Sequence, residues 1–366
     1  MKKILSFSLL LTALWSACSN DFDLTAPWKE VPVVYAILSA EDTAHYIRVE
    51  KGFLDPEKSA LEVAQIADSI YYPANAITVF VENLRTKEKL PCVRVDGNLE
   101  GHPRKAGIFA TTPNWLYKFK TSNGAPLGAG DAYKLTVKRA DGQKDITATT
   151  TIPAEFIFSA PNPSDIPPKM NFNTEKGANV KWLGDTASAY FDISLLIRYR
   201  VQAPDGTTLL RRTIPWDAAK NLQRGNAGIN SAQGFFYTST HDIGSPAFFQ
   251  RVATQIEADD IAGIDTLDGV RTRYFEGIDI ILQGGGNEIK AYLQTSSANA
   301  GVTGSEIVST YTNISEGFGI FTAKNSSRLL QVRIGELTVN FLNDGSLKVK
   351  YFNQDITTKS LNFRYL

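Results

Sequence analysis

From Ala189 to Val201 an apolar side chain stands at every second position: Ala189, Phe191, Ile193, Leu195, Ile197, Tyr199 and Val201. Successive side chains of a strand point to opposite faces, whereas a helix would scatter this set around its circumference. The stretch must therefore be a long strand with one buried face, and burial requires other strands beside it. Pro204-Asp205-Gly206 supplies a turn into a second apolar run, Leu209 to Ile214. Tyr133, Leu135 and Val137 alternate with Lys134, Thr136 and Lys138; Asp141-Gly142 then turns the chain into Ile146, Ala148 and Ile152. Val33, Tyr35 and Ile37, then Ile47 and Val49, then Ile77, Val79 and Val81 repeat the pattern, as do Val180 and Trp182. Near the end Leu337, Val339 and Phe341 face Leu347, Val349 and Tyr351 across Asn343-Asp344-Gly345, which reads as another hairpin.

Two stretches have helical spacing. Ser59 to Tyr71 puts Val63, Ile66 or Ala67, and Ile70 on one side. The second begins with Ser245 as N-cap and Pro246 in the first turn, and turns Phe249, Val252 or Ala253, and Ile256 inward. The fold class is therefore mainly β. Residues 30–153 read as an immunoglobulin-like antiparallel sandwich, closed by Thr149-Thr150-Thr151-Ile152-Pro153. The stretch Pro161-Asn162-Pro163-Ser164-Asp165-Ile166-Pro167-Pro168 is too poor in donors for a central strand, and it marks the start of a second β-rich domain with an inserted helix, residues 154–366.

The beginning of the chain has a different character. Lys2 and Lys3 precede an apolar run from Ile4 to Leu14, and small residues Ser16 and Ala17 lead to Cys18. This is the layout of a secretory signal over residues 1–17, with an apolar core well short of the roughly twenty residues that span a bilayer. Trp15-Ser16-Ala17-Cys18 resembles the bacterial lipobox, although Trp15 stands where leucine is commoner. The resemblance implies lipid attachment at Cys18, which would hold the protein to a membrane through its acyl chains. Residues 18–29 read as a tether. Within it, Ser19-Asn20-Asp21-Phe22-Asp23 resembles the acidic export tag of surface-exposed lipoproteins of the Bacteroidota. That places the protein at the outer membrane facing outward; as a plain acidic spacer the same residues would leave it facing the periplasm.

The chain carries 38 basic and 38 acidic residues, and loss of Lys2 and Lys3 with the leader leaves a slight acidic excess. No basic surplus exists to hold nucleic acid. With Cys18 lipidated, Cys92 has no cysteine left to pair with, and stability must come from apolar cores.

Chemistry-bearing motifs are sparse. His45, His102 and His241 lie far apart without metal-ligand spacing. Glu257, Asp259, Asp260, Asp265 and Asp268 form an acidic run without the ordered alternation of a calcium loop, and read as a solvated helix end. Gly284-Gly285-Gly286 follows the apolar run Ile278 to Leu282, but Ala291 to Leu293 beyond it looks like strand, so the glycines read as a hairpin turn rather than a phosphate cradle. No glycine-flanked nucleophile serine occurs. Neither a metal nor a cofactor is expected. Trp182 belongs to the core pattern, while Trp115 and Trp216 sit beside prolines in apparent loops and are the candidate ligand-binding aromatics.

Three stretches are similar to a family of Bacteroidota outer-membrane lipoproteins of unknown function, two-domain and β-rich, often associated with TonB-dependent transport systems. They are Val31-Pro32-Val33-Val34-Tyr35 with Asp42-Thr43-Ala44-His45-Tyr46-Ile47-Arg48-Val49, then Tyr133-Lys134-Leu135 through Thr151-Ile152-Pro153, then Asn313-Ile314-Ser315-Glu316-Gly317-Phe318-Gly319-Ile320-Phe321. The resemblance implies no catalytic residues. In the last stretch Gly317 and Gly319 bracket an aromatic where the backbone must bend or approach another segment closely, as in a bulged strand entering the core. Gln294 to Ser305, rich in Ser, Ala, Asn and Gly, reads as a mobile edge. The expected role is a non-catalytic surface lipoprotein, an accessory binding or assembly subunit in an outer-membrane complex or with a TonB-dependent transporter. The alternatives are a module capturing glycans or peptides and, third, a hydrolase working through two carboxylates.

Overall fold

The computed structural model describes residues 30–52, 58–173, 176–230, 234–261, 272–299, 311–344 and 361–364. The leader, Cys18, the Ser19 to Asp23 tag and the tether lie outside the described residues.

The first half follows the sequence pattern closely. Its elements are β1 (Pro32–Ser39), β2 (His45–Lys51), α1 (Ala60–Ala64), α2 (Ala67–Ile70), β3 (Ile77–Asn83), β4 (Lys89–Pro91), β5 (Val93–Asp96), β6 (Trp115–Phe119), β7 (Ala132–Arg139) and β8 (Ile146–Thr151). One sheet runs β4-β3-β7-β8; the other contains β1-β2-β6-β5. The alternating residues meet between them: Val34, Leu38, Ile47 and Val49 face Val79, Val81, Leu135, Val137 and Ile146, all essentially inaccessible. The single helix expected over Ser59 to Tyr71 is instead two short ones. Ser59 and Glu62 form a capping box on α1, but Ile66 is extended and breaks the run. The break lets Ile70 and Tyr71 pack with Ala110 while Ile66 stays exposed.

The second half comprises β9 (Ile157–Ala160), β10 (Lys169–Met170), β11 (Ala178–Gly184), β12 (Ser188–Gln202), β13 (Thr208–Gln223), β14 (Asn226–Asn230), β15 (Gly234–Ile243), α3 (Ser245–Ile261), β16 (Thr272–Gly286), α4 (Asn287–Asn299), β17 (Phe318–Ile334), α5 (Glu336–Asn343) and β18 (Phe363–Arg364). The seven alternating residues of β12 are each at most 1% exposed, and β12 lies between β13 and β16, antiparallel to both. A second sheet, β14-β15-β11-β9, carries Trp182 into the same core. Helix α3 adds Phe248, Phe249, Val252, Ala253 and Ile256, every one buried as its spacing requires. Each of the larger side chains contributes roughly 1.5–3 kcal/mol by leaving water.

β17 joins the halves. Its first part, Phe318 to Lys324, pairs parallel with β1, and its later part, Lys324 to Val332, pairs antiparallel with β16. Phe321 and Ala323 thus enter the first core, and Leu329 and Val332 the second. Asn313 holds the entry, its Nδ2 donating to the Phe321 carbonyl at 2.7 Å and its Oδ1 accepting from the Phe321 N–H at 3.0 Å. The close approach expected at the glycine pair is present: a Cβ on Gly319 would lie 1.9 Å from the Val34 carbonyl oxygen, and one on Gly317 2.5 Å from that of Pro32.

Three expectations fail in the second half. Leu337 to Phe341 is helix α5, not strand, because Thr338, Val339, Phe341 and Leu342 together form a buried helical stripe while Leu337 stays exposed; Leu347, Val349 and Tyr351 lie outside the described residues. Gly284 to Gly286 end β16 and lead into helix α4, so neither the hairpin turn nor a strand at Ala291 to Leu293 exists. The glycines answer a packing demand: a Cβ on Gly284 would overlap the Phe156 ring, and one on Gly285 the Tyr190 ring and Ile289. Gln294 to Asn299, expected as the start of a mobile edge, belong to α4, and the remainder of that stretch is outside the described residues.

Candidate functional site

A cleft of about 600 Å³ opens where two strands part company. β1 and β2 pair antiparallel from Pro32–Lys51 to Tyr35–Arg48, and there the ladder stops. Beyond it β1 continues along β17 through Ser39, while His45 to Ile47 of β2 pair with β6. The pairings that would follow in this register, Ala36 with Ile47 and Ile37 with Tyr46, are not made, and Ile37 and Tyr46 line the cleft with Tyr35, Asp42, Arg48, His102 and Leu116.

Alternation sets what faces it. Odd residues of β1 and even residues of β2 point away from the sandwich core, which brings Tyr35, Ile37, Tyr46, Arg48 and Glu50 to one outer surface. Tyr35 and Ile37 are 40% and 50% exposed. Tyr46 packs its ring 4.3 Å from that of His102 and donates its hydroxyl to Glu100 at 3.0 Å. Lys118 pairs with the same Glu100 carboxylate. Hydrogen bonds from Lys118 and Tyr46 hold Glu100 below the ordinary carboxylate range, the direction opposite to that of a general acid.

A network at the closed end fixes Arg48. Its guanidinium donates to Glu50 Oε1 at 3.0 Å and to Asn114 Oδ1 at 2.8 Å. Arg104 donates to the same Glu50 oxygen at 2.7 Å and to the Tyr71 hydroxyl at 3.0 Å. Asn114, wholly buried, is held in turn by donating to the His102 carbonyl. Two guanidiniums therefore share one carboxylate oxygen beside the cleft, and the Asp42 carboxylate lines it.

His45 sits on the other face of β2, stacked on Phe119 with ring centroids 4.9 Å apart. Burial lowers its pKa, opposed by the nearby Asp42, and its Nε2 has no hydrogen-bond partner. It is a neutral core imidazole. Among the described residues no cluster of three His, Cys, Asp or Glu side chains is arranged to hold a metal ion, and no helix is long and apolar enough to cross a membrane.

The two candidate tryptophans are in strands rather than loops. Trp115 opens β6, with the Arg94 guanidinium 4.4 Å above its ring and the Ile70, Tyr71 and Ala110 cluster against it. Trp216 lies within β13 opposite Leu195 and packs toward Phe248. An adjacent proline suggests a loop, but Pro215 is accommodated on β13 because this strand borders only β12 in its sheet. The structure does not bring the tryptophans together, and neither lines the cleft. Cys92 is packed against the first core, and burial pushes its thiol up to about 12.

Sequence reasoning read Ile47 and Val49 as strand, weighed His45 as a metal ligand and quoted Tyr46 and Arg48 within the family resemblance, but gave Tyr46, Arg48 and Glu50 no role in a site. The available signal was an aromatic and two charges of opposite sign on the face that a simple sandwich gives to solvent, opposite Tyr35 and Ile37 of the neighbouring strand.

No family model matches the chain, and no curated protein matches it.

Proposed function

We propose that the chain is a non-catalytic accessory binding or assembly subunit, anchored through lipid on Cys18 at the outer membrane and exposed at the cell surface. The observation that carries the binding role is the cleft between the parted ends of β1 and β2. It is a concave surface of mixed character, where Tyr35, Ile37, Tyr46 and Leu116 stand beside Asp42, Thr43, Arg48 and His102, and a network behind it fixes Arg48. The carboxylates behind it are engaged as structural partners, Glu50 with two arginines and Glu100 with Lys118, and the carboxylate in its lining is Asp42. This supports holding a ligand over hydrolysing one. The anchor and address rest on Lys2 to Cys18 and on Ser19 to Asp23, and association with a TonB-dependent transporter or another outer-membrane complex rests on the family resemblance.

The test is co-purification from gently solubilised membranes, comparing the native protein with Tyr46→Ala/Arg48→Ala. A partner retained by the native chain and lost from the variant is the expected result. Recovery of the native chain only as a lone monomer overturns the assembly role.

A further inference from the structure

We infer that the gap between β1 and β2 is a slot for an extended peptide segment ending in a carboxylate, which adds a strand between them and places its carboxylate on Arg48. The inference rests on the binding role proposed above and names the class of ligand.

The backbone register carries the argument. The Gly52 N–H donates to the Val31 carbonyl, and in an antiparallel ladder the residues exchanging hydrogen bonds recur at every second position. Val31, Val33, Tyr35 and Ile37 therefore direct their N–H and C=O groups toward β2. The Ala40 N–H donates to Lys324 of β17, which agrees with the even residues of β1 serving the other neighbour. On β2 the counterpart of Ile37 is Tyr46, and the ladder ends one such pair short of it. The main-chain groups of Ile37 and Tyr46 thus border the cleft from opposite sides, each lacking the strand pairing its register calls for. A row of unpaired main-chain groups is what strand addition uses. Here each wall offers the N–H and C=O of one residue, Ile37 on β1 and Tyr46 on β2.

Size and charge narrow the occupant. Ala36 to Ser39 of β1 run along the gap, so the slot takes a segment of about four residues, some 13 Å at strand spacing. Its outer side is lined by Tyr35, Ile37 and Leu116, which suit alternate apolar side chains. The closed end holds Arg48, where two guanidiniums meet a single carboxylate. A planar guanidinium matches a carboxylate geometrically, so Arg48 selects a ligand that brings one at this end, while the Asp42 carboxylate lines the cleft at the turn joining β1 to β2. With its carboxylate at that end, the segment runs antiparallel to β1 and parallel to β2. An acidic sugar would satisfy Arg48 but leave the main-chain groups of Ile37 and Tyr46 unused.

The full-length lipidated protein in detergent is titrated by fluorescence anisotropy with an N-terminally labelled pentapeptide of alternating valine and threonine bearing a free C-terminal carboxylate. Its C-terminal amide and a form N-methylated at alternate backbone nitrogens are titrated in parallel. The free acid should bind saturably and the amide about tenfold more weakly, the loss of one charge-assisted contact. The N-methylated form should not bind. Arg48→Met should bring the free acid to the level of the amide. Ile37→Pro removes an N–H that no strand pairing uses, and should weaken the free acid while leaving the melting temperature within a few degrees of native.

Equal affinity for acid and amide, binding of the N-methylated form, saturation by an oligouronate instead of the peptide, or no saturation by any peptide up to millimolar concentration overturns the inference. If peptides fail while a partner still co-purifies in a manner dependent on Tyr46 and Arg48, strand insertion falls and the accessory role stands. Loss of both removes both.

Discussion

Gly319→Ala tests whether β17 is the seam of the fold. Gly319 has φ +109°, where an L side chain is strained, and it pairs with Val34 of β1. An added Cβ would stand 1.9 Å from the Val34 carbonyl oxygen, a backbone atom that cannot rotate away. Backbone strain of this kind costs about 1–3 kcal/mol. Relieving the overlap must also pull β1 from β17, at about 1 kcal/mol for each ladder hydrogen bond opened. Together these give a loss of about 3 kcal/mol or more. Gly124→Ala is the control, because Gly124 also has positive φ, at +69°, but a Cβ there meets nothing within 4 Å. It should cost only the conformational part, about 1 kcal/mol. Urea unfolding followed by tryptophan fluorescence measures both, and Gly319→Ala should shift the midpoint at least twice as far. If the two variants lose equal stability, the close approach of β17 to β1 is not a determinant of the fold.

The other predictions concern titratable groups. Cys92, partly buried against the first core, should react more slowly with iodoacetamide at pH 8 in the folded chain than in urea, since its raised pKa keeps thiolate scarce at that pH; equal rates before and after unfolding would contradict the raised pKa. Hydrogen bonds from Arg85 and then Asn83 lower the pKa of Asp131, so its contribution is complete above the unfolded aspartate value of about 3.9 and is lost as pH falls through the lower folded value. The urea midpoint should fall in that acid window, and less so in Asp131→Asn; an unchanged pH profile in the variant would refute the assignment. Glu288, at the start of α4, lies between Thr150 of β8 and Thr322 of β17, and burial raises its pKa. The folded state then holds the proton more tightly than the unfolded one, so Glu288 favours folding most at low pH and stability declines as pH rises through its folded value. Glu288→Gln should therefore gain relative stability at pH 7 compared with pH 4, and a relative loss at pH 7 would show the carboxylate to be favourably ionised.

What the sequence made legible were features with a local cause. The alternation of β12 and the spacing of Phe249, Val252 and Ile256 in α3 each encode a buried face, and each is found buried. The glycine pair at Gly317 and Gly319 signalled a close approach without naming the neighbour, because the partner, Val34, lies far away in the chain. The misread elements share a cause as well. Leu337 to Phe341 and Ala291 to Leu293 are short apolar runs in which alternation and helical spacing coincide, and tertiary packing decides between them. Gly284 and Gly285 looked like a turn because the Phe156 and Tyr190 rings that exclude a Cβ come from distant segments. The cleft was illegible for a related reason. It is a hydrogen-bond ladder that ends early, and a ladder's end is a property of two strands and their other neighbours.

The position of that ending bears on the proposed anchor. β1 enters the sheet at Pro32, its ladder with β2 closes at Tyr35, and at the other end of the cleft residues 40–44 join the two strands, with Asp42, Thr43 and Ala44 among its lining. A tether from Cys18 would reach β1 at the end where its ladder with β2 is made. β17 runs parallel to β1 and continues past Ser39 into the second core, so the second half of the protein extends in the same direction. It also reaches the cleft wall, since the Tyr35 hydroxyl is hydrogen-bonded to Tyr292 of α4. One wall of the gap, β1, is thus paired with β17, and the other, β2, with β6. A ligand seated there would be held near the strand both cores share, and separating β1 from β17 by the Gly319 substitution should disturb the slot and the fold together.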